Sequence, residues 1–309
     1  MKKLLNKFAL VALGMLVGVP AAWAGPVIID GTDANSHGQT DFTGTQNEDG
    51  WLYMQKVLEN LAPQVGNGNR TIVSLGTDPN TTAFDAISSA FNLSNIASTW
   101  NFVNINDVTD IASFLDGTPV GGVSLANTGI LYLPTAGETG GDLSDDELNA
   151  INSRGAAINN FVGGAGNPNQ GGGLFAMAEN PFSATPYGWL SSLIPSLTPV
   201  IGGDATDISL TPAGQAAFPG LTSADLSAGP WHAYFSGNFG GLQVLATAPT
   251  TDVQGNIQNV PLILGGGAGT VITPPPTGVP EPASVVGILA FGAFGVGSQL
   301  KRKQQRKAG

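Results

Sequence analysis

The densest set of side chains able to do chemistry lies near the N-terminus, in Asp30-Gly31-Thr32-Asp33-Ala34-Asn35-Ser36-His37-Gly38. It directly follows an apolar run, 26–30, that reads as a first buried strand. In an open α/β sheet, ligands bind in the crevice beyond the carboxyl ends of the strands, so this position makes its residues candidates for a site. Asp30, Asp33 and Asn35 are hard oxygen donors that suit Ca²⁺, although no glutamate closes the loop as an EF-hand requires. Asp30, Asp33 and His37 could instead serve a ligand or move protons together with His232, the only other histidine. A third reading is a turn network, in which Asp and Asn side chains cap their own backbone. Joint metal binding by both histidines and an aspartate needs convergent ligands and an open position. Nothing in the sequence brings His37 and His232 together, and Trp231-His232-Ala233-Tyr234-Phe235 reads as a packed aromatic segment.

The remaining chemical motifs have structural explanations. Glu138, Asp142, Asp145, Asp146 and Glu147 form an acidic group. Ser144 and Glu147 are spaced as a capping box, with the acidic first turn complementing the helix dipole. Gly163-Gly164-Ala165-Gly166 and Gly171-Gly172-Gly173 lack a following Lys-Ser/Thr, so they read as a helix stop and a flexible loop rather than a phosphate cradle. No Gly-x-Ser-x-Gly elbow occurs. The chain contains no cysteine, which excludes disulfides, thiolate metal sites and a Cys nucleophile.

These residues need a scaffold, and the hydrophobic patterning predicts one of alternating strands and helices. Strands are expected at 26–30, 71–76, 100–105, 129–134 and 173–179, with helices at 51–61, 83–91 and 108–115 and a long one from Ser144 to about Val162. A helix near Trp189, short strands near Ile208 and at 242–246, and an apolar segment at 260–264 complete the pattern. Such alternation implies βαβ units and a doubly wound, mostly parallel sheet in a three-layer αβα sandwich, the flavodoxin-like class of α/β fold. No internal repeat is present.

Charge divides the 309 residues into three pieces. Lys2, Lys3 and Lys7 lie at one end, and Lys301, Arg302, Lys303, Arg306 and Lys307 at the other; between Gly25 and Gly278 only Lys56, Arg70 and Arg154 face 21 carboxylates, a formal charge of −18. Nucleic acid is excluded as a partner, because phosphate binding needs a cationic surface. Residues 1–24 have a basic start, an apolar run and Ala22-Trp23-Ala24 before Gly25. They read as a signal peptide cleaved by signal peptidase between Ala24 and Gly25.

At the other end, the body 25–271 gives way to a Pro-rich linker, 272–278, and then to Val279-Pro280-Glu281-Pro282. An uncharged stretch follows at 283–300, then the basic tail 301–307. As a helix the stretch reaches roughly 27 Å, enough for a thin hydrocarbon core, with the tail held cytoplasmic. Motif, span and basic end together resemble the PEP-CTERM sorting signal of Gram-negative bacteria. The resemblance implies processing by an exosortase, transient anchoring in the inner membrane through the C-terminal helix, delivery to the cell envelope or surface, and association with exopolysaccharide. The stretch 129–179, together with Leu210-Thr211-Pro212-Ala213-Gly214-Gln215, Phe218-Pro219-Gly220-Leu221 and Trp231-His232, resembles the trehalose-utilisation-protein-like branch of the class I glutamine amidotransferase fold. Where that family carries its nucleophilic Cys, this chain has Ala176-Met177-Ala178-Glu179. Glutaminase chemistry is therefore not implied.

The combined expectation is an exported, surface-sorted protein with a non-catalytic body, structural or ligand-binding, and no cofactor apart from a candidate Ca²⁺. The alternative is an extracellular hydrolase or lyase acting on envelope glycans, which requires Asp30, Asp33, His37 and His232 to converge in one cleft.

Overall fold

Eight strands form the central sheet of the computed structural model, which describes residues 25–137, 142–163, 171–178, 187–251 and 254–266, with 203–205 by backbone alone. The expected leader, linker and sorting tail lie outside the described residues. Five strands run parallel in the order β5 (Asn101–Ile105), β4 (Thr71–Leu75), β6 (Ile130–Leu133), β7 (Gly173–Met177) and β1 (Val27–Asp30). Beyond β1 the sheet continues antiparallel through β12 (Ile257–Gly266), β11 (Gln243–Thr251) and β9 (Ser209–Leu210). The chain is thus α/β with a mostly parallel central sheet.

Strand side chains alternate between two cores. Ile28, Ile72, Ile130, Tyr132 and Phe175 enter the first, beneath α1 (Asp49–Leu61) and α2 (Thr82–Asn92). Val27, Ile29, Val73, Leu131 and Leu174 enter the second, shared with α3 (Val108–Leu115), α4 (Asp145–Asn152), α5 (Gly155–Val162) and α6 (Gly188–Leu193). Covering on both faces explains why β1, β6 and β7 are apolar throughout or nearly so, as buried parallel strands require.

Local signals act as their chemistry dictates. The capping box forms, with Ser144 N–H and Oγ donating to Glu147 Oε2 at 2.8 and 2.7 Å. The single helix expected to run on to Val162 is instead two. The chain breaks at Ser153 and Arg154, where Arg154 leaves helical geometry (φ −121°, ψ 20°) and its guanidinium grips Asp116 through two bonds of 2.9 and 2.8 Å. The second helix opens at Gly155, where a Cβ would run into Ser192 Oγ and the backbone of Trp189 in α6. That helix then stops at Gly163, whose φ of 75° is the left-handed cap the glycine run predicts.

Two strand pairs have no counterpart in the hydrophobic pattern. One is the short hairpin of β2 (Gly38–Thr40) and β3 (Asn47–Glu48). The other pairs β8 (Leu197–Ala205) with β10 (Trp231–Gly237), so the aromatic segment around His232 is itself a strand. Short α7 (Pro212–Ala217) and α8 (Ser223–Leu226) lie between them in sequence.

The exit from β1 is locked against β10. Gly31 donates its N–H to the Leu262 carbonyl at 2.9 Å, and its own carbonyl accepts from Ala233 and His232 at 3.1 and 3.3 Å. A Cβ on Gly31 would overlap the Ala233 carbonyl oxygen. Gly31→Ala should therefore destabilise the fold by about 1–3 kcal/mol, the usual range for overpacking. Chemical denaturation checks this, and a stability equal to wild type would contradict the close approach.

Candidate functional site

Beyond Gly31 the chain turns along the carboxyl edge of the parallel sheet. Asp33 N–H bonds the Pro230 carbonyl at 3.3 Å, Gly50 N–H at the start of α1 holds the His37 carbonyl at 3.0 Å, and Trp51 Nε1 holds the Asn35 carbonyl at 3.1 Å. The loop is thus pinned by β10 on one side and α1 on the other.

That pinning brings both histidines onto one carboxylate. His37 Nε2 lies 3.1 Å from Asp33 Oδ2, and His232 Nε2 lies 4.0 Å from the same oxygen. The Asp33 side chain is only 6% exposed and that of His232 14%, whereas that of His37 is 41% exposed. The carboxylate is sealed, then, and His37 is the member a ligand can reach. With Nε2 engaged by Asp33, Nδ1 is the ring nitrogen left for proton exchange. A carboxylate orienting an accessible imidazole is the arrangement used in general acid–base chemistry. A side chain at Gly229 would collide with the His37 ring, so a bare backbone on that side helps fix the imidazole's place.

The other two oxygen-bearing residues of the loop turn elsewhere. Asp30, fully buried, accepts from Thr32 N–H and Oγ1 at 2.8 and 2.9 Å. Asn35, also fully buried, donates through Nδ2 to Thr135 Oγ1 at 3.0 Å and Asp142 Oδ1 at 2.6 Å. Its Oδ1 meets no donor among the described residues. The three side chains proposed as calcium ligands therefore face three different sets of partners. Among the described residues no group of three or more His, Asp or Glu side chains has the arrangement to hold a metal ion. Thr32 and Asp30 do form the self-capping turn that the loop composition suggests. Asp142, a member of the acidic group in the sequence, is buried, where it accepts from Asn35 of the loop. Glu147 is also buried, and its burial, with Asp78 and Asp107 nearby, pushes its carboxyl up against the opposing pull of Ser144. Glu138 lies outside the described residues.

Asp30 has the most strongly displaced ionisation of these groups. Burial pushes it up to about 7, opposed by the bonds from Thr32, while the neighbouring Asp33 charge pushes the same way as burial. Tyr53 Oη lies close enough to pull against that rise but meets no acceptor at hydrogen-bonding geometry. Tyr132 stands on the same side of the sheet and donates its hydroxyl to Met177 Sδ at 3.3 Å. Neither Tyr53 nor Tyr132 carried any sequence signal for this role, since both sit where apolar core residues are expected.

No protein-family model, no curated protein and no solved structure matches the chain, so the site stands on its own geometry.

Asp30 gives a signed pH prediction. Its carboxyl rises from 3.8 in the unfolded chain to about 7 in the fold, so the native state binds the proton more tightly. Stability from this group is full below about pH 4 and is lost as the pH rises through 7. Asp30→Asn should remove that component. The stability of wild type relative to the variant should fall between about pH 4 and 8, by an amount on the order of 4 kcal/mol. Urea unfolding at several pH values checks this, and a difference that does not change with pH would contradict it.

Proposed function

We propose that this chain is an exported protein, sorted to the envelope surface through its C-terminal tail, whose α/β body binds a ligand at the Asp33–His37–His232 site. Export and sorting rest on the leader 1–24, the Val279-to-Pro282 motif, the apolar stretch and the basic end, together with a body carrying almost no cations. Signal peptidase and an exosortase-type enzyme are the processing partners this implies, and envelope exopolysaccharide is the expected surface partner. The amidotransferase-like ancestry of the body belongs to the same proposal. It is supported by the succession β6, α4, α5 and β7, and the Ala176-Met177-Ala178 sequence leaves that lineage without its nucleophile.

One observation carries the ligand-binding role: two imidazoles face a single buried carboxylate oxygen, at 3.1 and 4.0 Å. The same observation favours a second reading, an extracellular hydrolase or lyase acting on envelope glycans. There His37, oriented by Asp33, would transfer the proton, and His232 would supply a second imidazole beside it.

Both parts are testable. In cell fractionation, wild type should be trimmed at its tail and recovered from the surface, while Glu281→Ala should stay full length in the inner membrane. Unchanged trimming and location would remove the sorting proposal. For the body, purified protein is incubated with isolated envelope polysaccharide and assayed for new reducing ends and unsaturated products. Binding without turnover supports the ligand-binding role. Turnover that falls at least about a hundredfold in Asp33→Asn and His37→Gln, the scale of a lost general acid or base, supports the enzyme instead.

A further inference from the structure

A groove of about 420 Å³ runs between the β2–β3 hairpin and α2, next to the Asp33 loop but separate from it. Thr40, Trp51, Asp85, Ser88, Asn92 and Leu93 line it. The volume lies within the range of small-molecule sites, about 300–1,000 Å³. Its chemistry is specific: one large aromatic side chain, hydroxyls, an amide and a carboxylate, with no Lys or Arg among the lining residues.

The walls are preformed. Asn47 of the hairpin and Ser89 of α2 bind reciprocally, Ser89 Oγ donating to Asn47 Oδ1 at 2.6 Å and Asn47 Nδ2 donating to the Ser89 carbonyl at 3.2 Å. Trp51 is held by its Nε1 bond to the Asn35 carbonyl, and its ring lies against Gly38. The loop joining the two hairpin strands is tied by a single carboxylate. Asp41 accepts from Thr45 N–H and Gln46 N–H at 2.7 and 3.0 Å and from Thr43 Oγ1 at 2.6 Å. These bonds hold its carboxyl down at about 2. Within this loop, in sequence between groove-lining Thr40 and Gly44, Phe42 is fully exposed at the groove's border rather than part of its lining.

We propose that this groove binds a neutral saccharide, with Phe42 and Trp51 as platforms for the sugar rings and Asp85, Ser88 and Asn92 as partners for the hydroxyls. A pyranose has an apolar C–H face and a polar edge, and aromatic surface flanked by carboxylate, amide and hydroxyl groups matches both. Among the described lining residues the only charged group is acidic, which disfavours phosphate, sulfate or uronate ligands. Trp51, held before binding by its Nε1 bond to the Asn35 carbonyl, loses little freedom when a ligand arrives, which raises affinity. The proposal, which rests on the ligand-binding role given to the body above, names the ligand class and adds a second place where it is held. Because Trp51 touches both the groove and the loop bearing Asp33 and His37, a glycan chain lying in the groove would be led toward that site.

The test is a titration of the full-length protein, in a detergent without a sugar headgroup, with neutral gluco-, galacto- and manno-oligosaccharides, followed by tryptophan fluorescence and calorimetry. Saturable binding by at least one of them is expected. Phe42→Ala and Asp85→Ala should each weaken it about fivefold or more, and because both side chains are exposed, circular dichroism and melting should stay as in wild type. Ile257→Ala, at an exposed residue of neither the groove nor the Asp33 site, should leave groove binding within about twofold. Binding abolished by Asp33→Asn but untouched by Phe42→Ala and Asp85→Ala would overturn the groove and leave the Asp33 site standing. No saturable binding of any of these sugars would also overturn the groove, without bearing on the sorting signal.

Discussion

Gly31 carries no side chain because the Ala233 carbonyl occupies the space where a Cβ would be. The contact is backbone against backbone, closed by hydrogen bonds in both directions along the strand edge, and it fixes how the chain leaves the buried β1. Everything that follows in the loop takes its position from it. Thr32 bridges to Trp231, Asp33 bonds the Pro230 carbonyl, and His232 is anchored through its own N–H to Gly31. Two segments about 200 residues apart in sequence thereby place their polar side chains within reach of each other. Loop and strand form one rigid unit, as a catalytic or binding constellation requires.

The second constraint is charge. Three carboxylates, Asp30, Asp33 and Asp142, lie buried at this edge of the sheet in a body with only three Lys and Arg residues. Two of those cations are engaged elsewhere, Lys56 with Glu59 and Arg154 with Asp116. A buried carboxylate without a cation must keep its proton or collect hydrogen bonds. Asp30 keeps its proton through much of the acidic range, Asp142 accepts a hydrogen bond from the Asn35 amide, and Asp33 pairs with the imidazole of His37. The distribution of acids at the site is thus a set of separate local solutions to the same desolvation problem. One of these, the Asp33–His37 pair, also leaves the His37 side chain partly open to solvent.

Much of the scaffold was legible from spacing alone. The periodicity at 51–61 and 108–115 and the apolar runs at 71–76 and 129–134 mark elements that the structure contains within a residue or two. These are segments whose burial on one or two faces is written into every residue. The break at Arg154 was not legible, because it depends on Asp116 and Trp189, which are distant in sequence. The β8–β10 pair escaped for a similar reason: its strands find each other across 25 intervening residues. With that pair unseen, the meeting of His37 and His232 could be posed only as a condition. The polar loop itself was visible as a candidate, but the partners that its side chains take, Thr32 for Asp30, His37 for Asp33 and Asp142 with Thr135 for Asn35, depend on the fold and were not legible in its composition. Tyr53 was hidden because its ring serves the core while only its hydroxyl approaches Asp30.

The central claim is that one buried carboxylate holds His37 and faces His232 as well. Since the chain contains only two histidines, a long-range ¹H–¹⁵N spectrum of the imidazole nitrogens isolates them without interference. For wild type the account predicts a His37 ring protonated at Nε2 toward Asp33, and in Asp33→Asn a displacement of the ring signals of both His37 and His232 in a protein that remains folded. A His37 ring protonated only at Nδ1, or His232 signals unmoved by Asp33→Asn, would contradict it.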